Sequence, residues 1–333
     1  MSDERTRRIW LLALVPAMRR GRWVSAALIL FVGTLIYGVG IKLWLQEVPE
    51  RGYYDAWPVA IFFVCSVAYM VPVFHYISAR TVDALEALRP FVADTMRPQL
   101  ARAVEYRSLR WTLRTALTAT LIWLIQSRML TESWLGMWQS LTEGLLSFAM
   151  SLGPLLVWLT MFSAMSALLG NALFFRRLAA HLAVQIFEPG SYMPVGRMAV
   201  TSTLVTLGAF GLLSIMWLDG PVNWWTTLPA MALFAPLLVC FLLIPVLPIH
   251  RELVAQRAQA MNEAQAALGQ ALASPDDLAA RATALALRRE VARLPTWPFD
   301  VPAIIRFVSY AVIVPMTWAG AALIEILVNA ILS

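Results

Sequence analysis

Long apolar runs alternate along the chain with polar stretches rich in arginine. Seven runs reach or approach the about 20 residues a helix needs to cross a bilayer: 23–45, 59–77, 111–127, 145–171, 198–218, 226–249 and 303–332. The third is the shortest and holds Gln126; the seventh holds Pro315, which predicts a kink or a strong tilt. A shorter apolar segment, 9–18, has arginines on both sides and reads as an amphipathic anchor lying in the interface. The stretch 80–110 is charged but helix-prone, broken by Pro90 and Pro98, and predicts two or three short surface helices.

The longest polar interruption is 250–302. Its first part, about 251–273, continues the sixth run past Pro245 and Pro248. A second helix, about 275–294, opens on a start signal. Ser274 stands at the N-cap, Pro275 at the first helical position and Asp277 three residues after the cap. Leu253, Met261 and Leu268 recur on one face of the first helix, and Leu278 and Leu285 on one face of the second. Many alanines let the two pack closely, so the pattern predicts an antiparallel helical hairpin. Pro295, Pro298 and Pro302 then enforce an extended elbow. In it Trp297 and Phe299 can dip into the interface, and Asp300 can cap the seventh helix. The expected organisation is a membrane domain over 1–249, the hairpin and elbow over 250–302, and a seventh span over 303–333.

Composition makes the membrane reading general. The 333 residues are 60% hydrophobic and 14% charged, against about 45–50% and about 25% in soluble domains. The fold class is therefore an all-α integral membrane protein of about seven transmembrane helices, with the hairpin between helices six and seven. The net charge of +6 resembles a nucleic-acid signal only until the arginines are placed. With the N-terminus inside, 23 of the 25 arginines fall on one side, and only Arg51 and Arg128 fall on the other. Basic residues gather on the cytoplasmic side of membrane proteins. The expectation is a bacterial inner-membrane protein with a cytoplasmic N-terminus and hairpin, an outer C-terminus, and no nucleic-acid partner. Trp44, Trp57, Trp134 and Trp217 fall near predicted outer ends, and Trp10, Trp23, Trp111 and Trp297 near inner ends, as an aromatic belt requires.

Candidate chemistry is sparse. Cys65 and Cys240 lie singly inside apolar runs. His75, His181 and His250 share the inner side without local ligand spacing. HExxH, GxSxG and P-loop motifs do not occur, so no catalytic, metal or cofactor site is expected. The fourth and fifth runs carry hydroxyls. Small residues there favour close helix packing, yet Ser163, Thr203, Thr206 and Ser214, with Glu325 at the far end of the seventh run, form the one candidate polar path.

The segment Arg289…Trp297-Pro298-Phe299-Asp300…Arg306-Phe307…Tyr310…Trp318-Ala319-Gly320 resembles the C-terminal part of uncharacterised bacterial multi-pass inner-membrane proteins. The resemblance covers under a fifth of the chain; it supports the topology and implies no activity. The seven-span plan with the N-terminus inside is similar, in architecture only, to insect chemoreceptor channels. Two functions fit. One is a membrane scaffold or accessory subunit, embedded in the lipid bilayer, whose stretch 250–294 binds a second copy or a membrane-complex partner. Leu253, Met261, Leu268 and Leu285 would form that arm, and Trp297, Phe299 and Asp300 its interfacial elbow. The alternative is an oligomeric channel or permeation protein with the hydroxyl-lined path.

Overall fold

In the computed structural model the apolar runs are helices. Residues 6–16, 20–47, 57–92, 106–131, 133–142, 144–217, 224–273 and 278–300 are described, with scattered helical positions between 302 and 323. The helices are α1 (Trp10–Ala13), α2 (Gly21–Glu47), α3 (Trp57–Leu88), α4 (Leu109–Thr131), α5 (Trp134–Ser140), α6 (Leu145–Ala179), α7 (Met193–Gly211), α8 (Trp224–Ala273) and α9 (Leu278–Arg293). Strands β1 (Thr6–Arg8) and β2 (Tyr106–Ser108) form a short antiparallel pair, with Thr6 opposite Ser108. The apolar stretches of the described chain are helical, as a bilayer requires when each backbone N–H and C=O must find a partner within its own segment.

Among the described residues five helical stretches are long and apolar enough to cross a membrane: Gly21–Leu43, Trp57–Phe91, Leu145–Ala179, Met193–Ile215 and Pro236–Ala273. The third predicted run also folds as a helix, α4, but Arg110, Arg114 and Arg128 lie within it and it is not among the five. Its pattern is nevertheless one-sided. Leu113, Leu117, Leu121 and Ile125, four residues apart, are exposed, while Thr115, Ala119 and Trp123 are buried. A helix backed onto protein with its leucines outward fits an apolar surround. Positions 304–310 of the seventh run are helical; Pro315 and Glu325 lie outside the described residues.

The core has three layers. At one end Tyr37 and Ile41 of α2 meet Phe62 and Phe63 of α3 and Leu146 and Ala149 of α6. The Tyr37 hydroxyl donates to the Ala149 carbonyl at 2.8 Å, tying α2 to α6. In the middle, Val71, Phe74 and Ile77 of α3 pack on Met161, Ala164 and Leu168 of α6 and on Phe241 of α8. At the other end Leu85 and Leu88 of α3, Phe175 and Leu178 of α6, Val195 and Met198 of α7, and Ile249 and Leu253 of α8 form the third layer. Tyr69 of α3 donates to the Val205 carbonyl of α7 at 3.0 Å, and Trp158 of α6 donates to Gln126 of α4 at 2.6 Å. Such interhelical bonds hold helices where the hydrophobic effect between them is weak.

Two sequence expectations change here. The segment read as an interfacial anchor is drawn into the bundle. Ile9, Leu11 and Leu12 are buried in the middle layer, and Trp10 Nε1 donates to Ser163 Oγ at 3.1 Å. Burying three large apolar side chains stabilises this short helix more than half-exposure in an interface would. Pairing of β1 with β2 fixes the chain that leads into it. The stretch read as short surface helices instead begins as a continuation of α3 to Leu88, followed by a single 3-10 turn over Arg89–Phe91. Ala84, Leu85 and Leu88 find partners in the third layer, so the helix continues until Pro90 approaches. Residues 93–105 lie outside the description.

Candidate functional site

The structure separates 250–300 into a root that is locked to the bundle and an arm that leaves it. The root forms because polar side chains reach backbone groups that loops leave open. Gln256 of α8 donates from Nε2 to the Val184 carbonyl at 2.8 Å, and its Oε1 accepts from the Ile186 N–H at 3.1 Å. One amide thus satisfies two backbone groups of the α6–α7 connection, as a neighbouring strand would. That connection is stitched further by the Ala183 N–H donating to the Phe91 carbonyl at 3.0 Å. Leu253, one turn before Gln256, is fully buried below it.

The elbow closes the root from the other side. Gly196, in the first turns of α7, lies so close to the elbow that a Cβ there would overlap the Pro298 carbonyl oxygen. Only glycine allows that approach. The neighbouring Arg197 Nε donates to Asp300 Oδ2 at 2.7 Å, a charge-assisted bond. A ring of His250 stacks on Trp297 with centroids 3.9 Å apart and 15° between planes, and Trp297 stacks on Phe299 at 5.9 Å and 8°. His250 Nδ1 lies 2.8 Å from the Thr296 carbonyl oxygen. The Asp300 carbonyl accepts from the Ile304 N–H at 3.1 Å, the first helical bond of the following segment. Trp297, Phe299 and Asp300 therefore come together with His250, Gly196 and Arg197. The sequence picked out the first three. Gly196 and Gln256 carry no local pattern, because their partners lie 102 and about 70 residues away.

The arm is built differently. Arg281 of α9 donates to the Ala271 carbonyl of α8 at 3.1 Å, and Arg257 of α8 donates to the Ala292 carbonyl of α9. These two pairs fix α9 antiparallel to α8. Along the seam α8 buries Ala264 and Ala271, and α9 buries Ala284 and Val291. Small side chains allow close approach but bury little apolar area. Of the sequence-selected arm residues, Met261 and Leu268 are half-buried and Leu285 is exposed. Leu272 and Leu278, near the far end, are 60% and 75% exposed. Ser274, Pro275 and Asp277, which carry the start signal, lie outside the described residues.

The described hydroxyls of the candidate path are engaged inside the bundle. Thr203 and Thr206 donate to the carbonyls of Ala199 and Ser202, each at 2.9 Å. Ser214 donates to the Gly211 carbonyl at 2.8 Å, and Ser163 accepts from Trp10. Thr206 borders a cleft between α3, α6 and α7 that is otherwise lined by Met70, Phe74, Met165, Leu168 and similar apolar groups. It offers a water centre about 10 Å³, close to the space of one water molecule. His181 is exposed, with Nδ1 3.0 Å from the Arg177 carbonyl oxygen, and takes no part in the His250 stack. Among the described residues no group of three or more His, Cys, Asp or Glu is placed to hold a metal ion.

At the mouth of the root, the hydroxyl of Tyr192 is buried and has no hydrogen-bond partner among the described residues. Burial raises its pKa above the usual phenol value. No family model, curated protein or solved structure matches the chain.

Proposed function

We propose that this protein is a multi-pass scaffold or accessory subunit of the bacterial inner membrane, with about seven spans and a cytoplasmic N-terminus. Its stretch 250–294 is a cytoplasmic helical hairpin that docks onto a second copy or a membrane-complex partner. The observation that carries this reading is the contrast between the two ends of this stretch: α8 is clamped at Gln256 and held by alanines beyond it, while Leu272 of α8 and Leu278 and Leu285 of α9 stay exposed. Large apolar side chains on a solvent-facing arm mark a contact surface. The arginine distribution and the C-terminal resemblance both support the placement of this arm in the cytoplasm. The alternative of a hydroxyl-lined path within one chain has less support, because those hydroxyls bond inside the bundle and the cleft beside Thr206 is apolar. No reaction is assigned to it, and no cofactor.

The test removes the arm and keeps its root. Residues 260–290 are replaced by a short Gly-Ser linker, which leaves Leu253, Gln256 and the elbow intact. Membranes solubilised in mild detergent are run on native gels beside the full chain. The full chain is expected to migrate as an assembly, and the shortened one as an isolated chain. If the shortened chain keeps the same assembly, the docking reading fails.

A further inference from the structure

The end of the bundle where α2 begins holds a second polar arrangement outside the root. Arg22 of α2 and Arg80 of α3 both lie over the ring of Tyr76, 5.5 and 5.4 Å from its centroid. Arg80 Nε also donates to the Tyr76 hydroxyl at 3.3 Å. Among the described residues one carboxylate serves the pair: Asp83 lies 3.6 Å from Arg80. Arg22 meets no carboxylate among the described residues, although two cations share one ring. Held on an aromatic face, both guanidinium groups are pre-ordered with donors left over. The N-terminus of α2, at Gly21, adds its partial positive charge beside them.

Depth decides what such a cluster meets. Arg80 lies about 35 Å along α3 from Trp57 at 1.5 Å per residue. A hydrocarbon core is about 30 Å thick, so the pair sits in the headgroup layer when Trp57 marks the opposite interface. Trp23, next to Arg22, is 78% exposed, the placement of an interfacial anchor beside lipid. A free anion would be drawn equally to the many other exposed arginines on this side, whereas a lipid phosphate is confined to this depth.

We propose that Arg22, Arg80 and Tyr76 form a binding site for the phosphate of an anionic phospholipid in the leaflet on the arginine-rich side. The guanidinium groups donate to the phosphate oxygens, and the acyl chains lie along the exposed apolar face of α2, where Leu28, Phe31 and Leu35 point outward. The proposal rests on the bilayer placement and is independent of the docking arm.

Native mass spectrometry of the full chain in detergent tests it, with phosphatidylglycerol and phosphatidylcholine of matched acyl chains as probes. The wild type is expected to retain phosphatidylglycerol preferentially. The double variant Arg22→Gln, Arg80→Gln should bind it about thirtyfold more weakly, about fivefold for each arginine, with phosphatidylcholine unchanged. The single Arg22→Gln changes only an exposed side chain, preserves the fold and should show the fivefold step. Removal of residues 260–290 should leave the lipid preference untouched. Unchanged phosphatidylglycerol binding in both arginine variants overturns the proposal. Full displacement of the lipid by millimolar inorganic phosphate also overturns it, and assigns the site to a free anion.

Discussion

The root and the arm use the same helix, α8, and are held by opposite means. The root is held by specific, long-range contacts: Gln256 on two backbone groups, Gly196 against Pro298, Arg197 on Asp300, His250 on Trp297. Leu253 anchors them in the third core layer. Along the arm the seam is alanine, with guanidinium groups on carbonyls at each end. The arm is held with little buried apolar area, because its seam is built mostly of small side chains and Leu272, Leu278 and Leu285 are exposed. For the docking role proposed above, a firmly held base would present the exposed leucines of the arm at a fixed place.

The contrast breaks most sharply at Gly196. Gly196→Ala places a methyl group against the Pro298 carbonyl and the Phe299 ring. The elbow must leave α7, at a cost of about 3 kcal/mol. Thermal unfolding in detergent should show a lower midpoint, and limited proteolysis should cut at the elbow while the arm's own susceptibility stays unchanged. A wild-type proteolysis pattern would show that the root is not rigid.

Ala264→Leu addresses the other side. Its site is fully buried in the seam, and a leucine forces α9 away from α8 at about 1–3 kcal/mol. That strain is local, so hydrogen exchange should rise across α9 while exchange in α3, α6 and α7 stays at the wild-type level. Loss of protection through the whole bundle would instead make arm and root one cooperative unit.

The smallest effect belongs to Tyr192. Tyr192→Phe removes a buried hydroxyl with no partner among the described residues, and should leave stability equal or raise it by up to about 1 kcal/mol. Its pKa is raised in the folded state, so its contribution is complete below the unfolded phenol value and is lost as pH rises above about 10. Denaturation curves at alkaline pH should therefore fall more steeply for the wild type than for the variant. Parallel curves would mean that the phenol is not shielded.

Much of the fold was legible because hydrophobic run length reports directly on bilayer crossing. The predicted boundaries near 23, 59, 145 and 198 lie close to helices that the structure contains. The continuation of the sixth run through Pro245 and Pro248 into a single helix, α8, was legible as well. The burial of Ile9, Leu11 and Leu12 was not. An apolar segment too short to span looks the same whether it lies on a bilayer or fills a groove, and only the groove between α3 and α6 distinguishes the two. The extension of α3 to Leu88 was hidden for a like reason: its supporting partners, Phe175 and Leu178, are remote in the chain.

The sequence by itself determined that this is a chain of apolar helices suited to a membrane, and where its longest polar stretch begins and ends. Those properties follow from local quantities, hydropathy and charge summed over windows. Tertiary structure alone decided that the elbow is clamped, that Leu253 is core, and that Arg22 and Arg80 share one tyrosine. Each of these depends on the relative placement of helices, which close packing fixes and which no window along the chain contains.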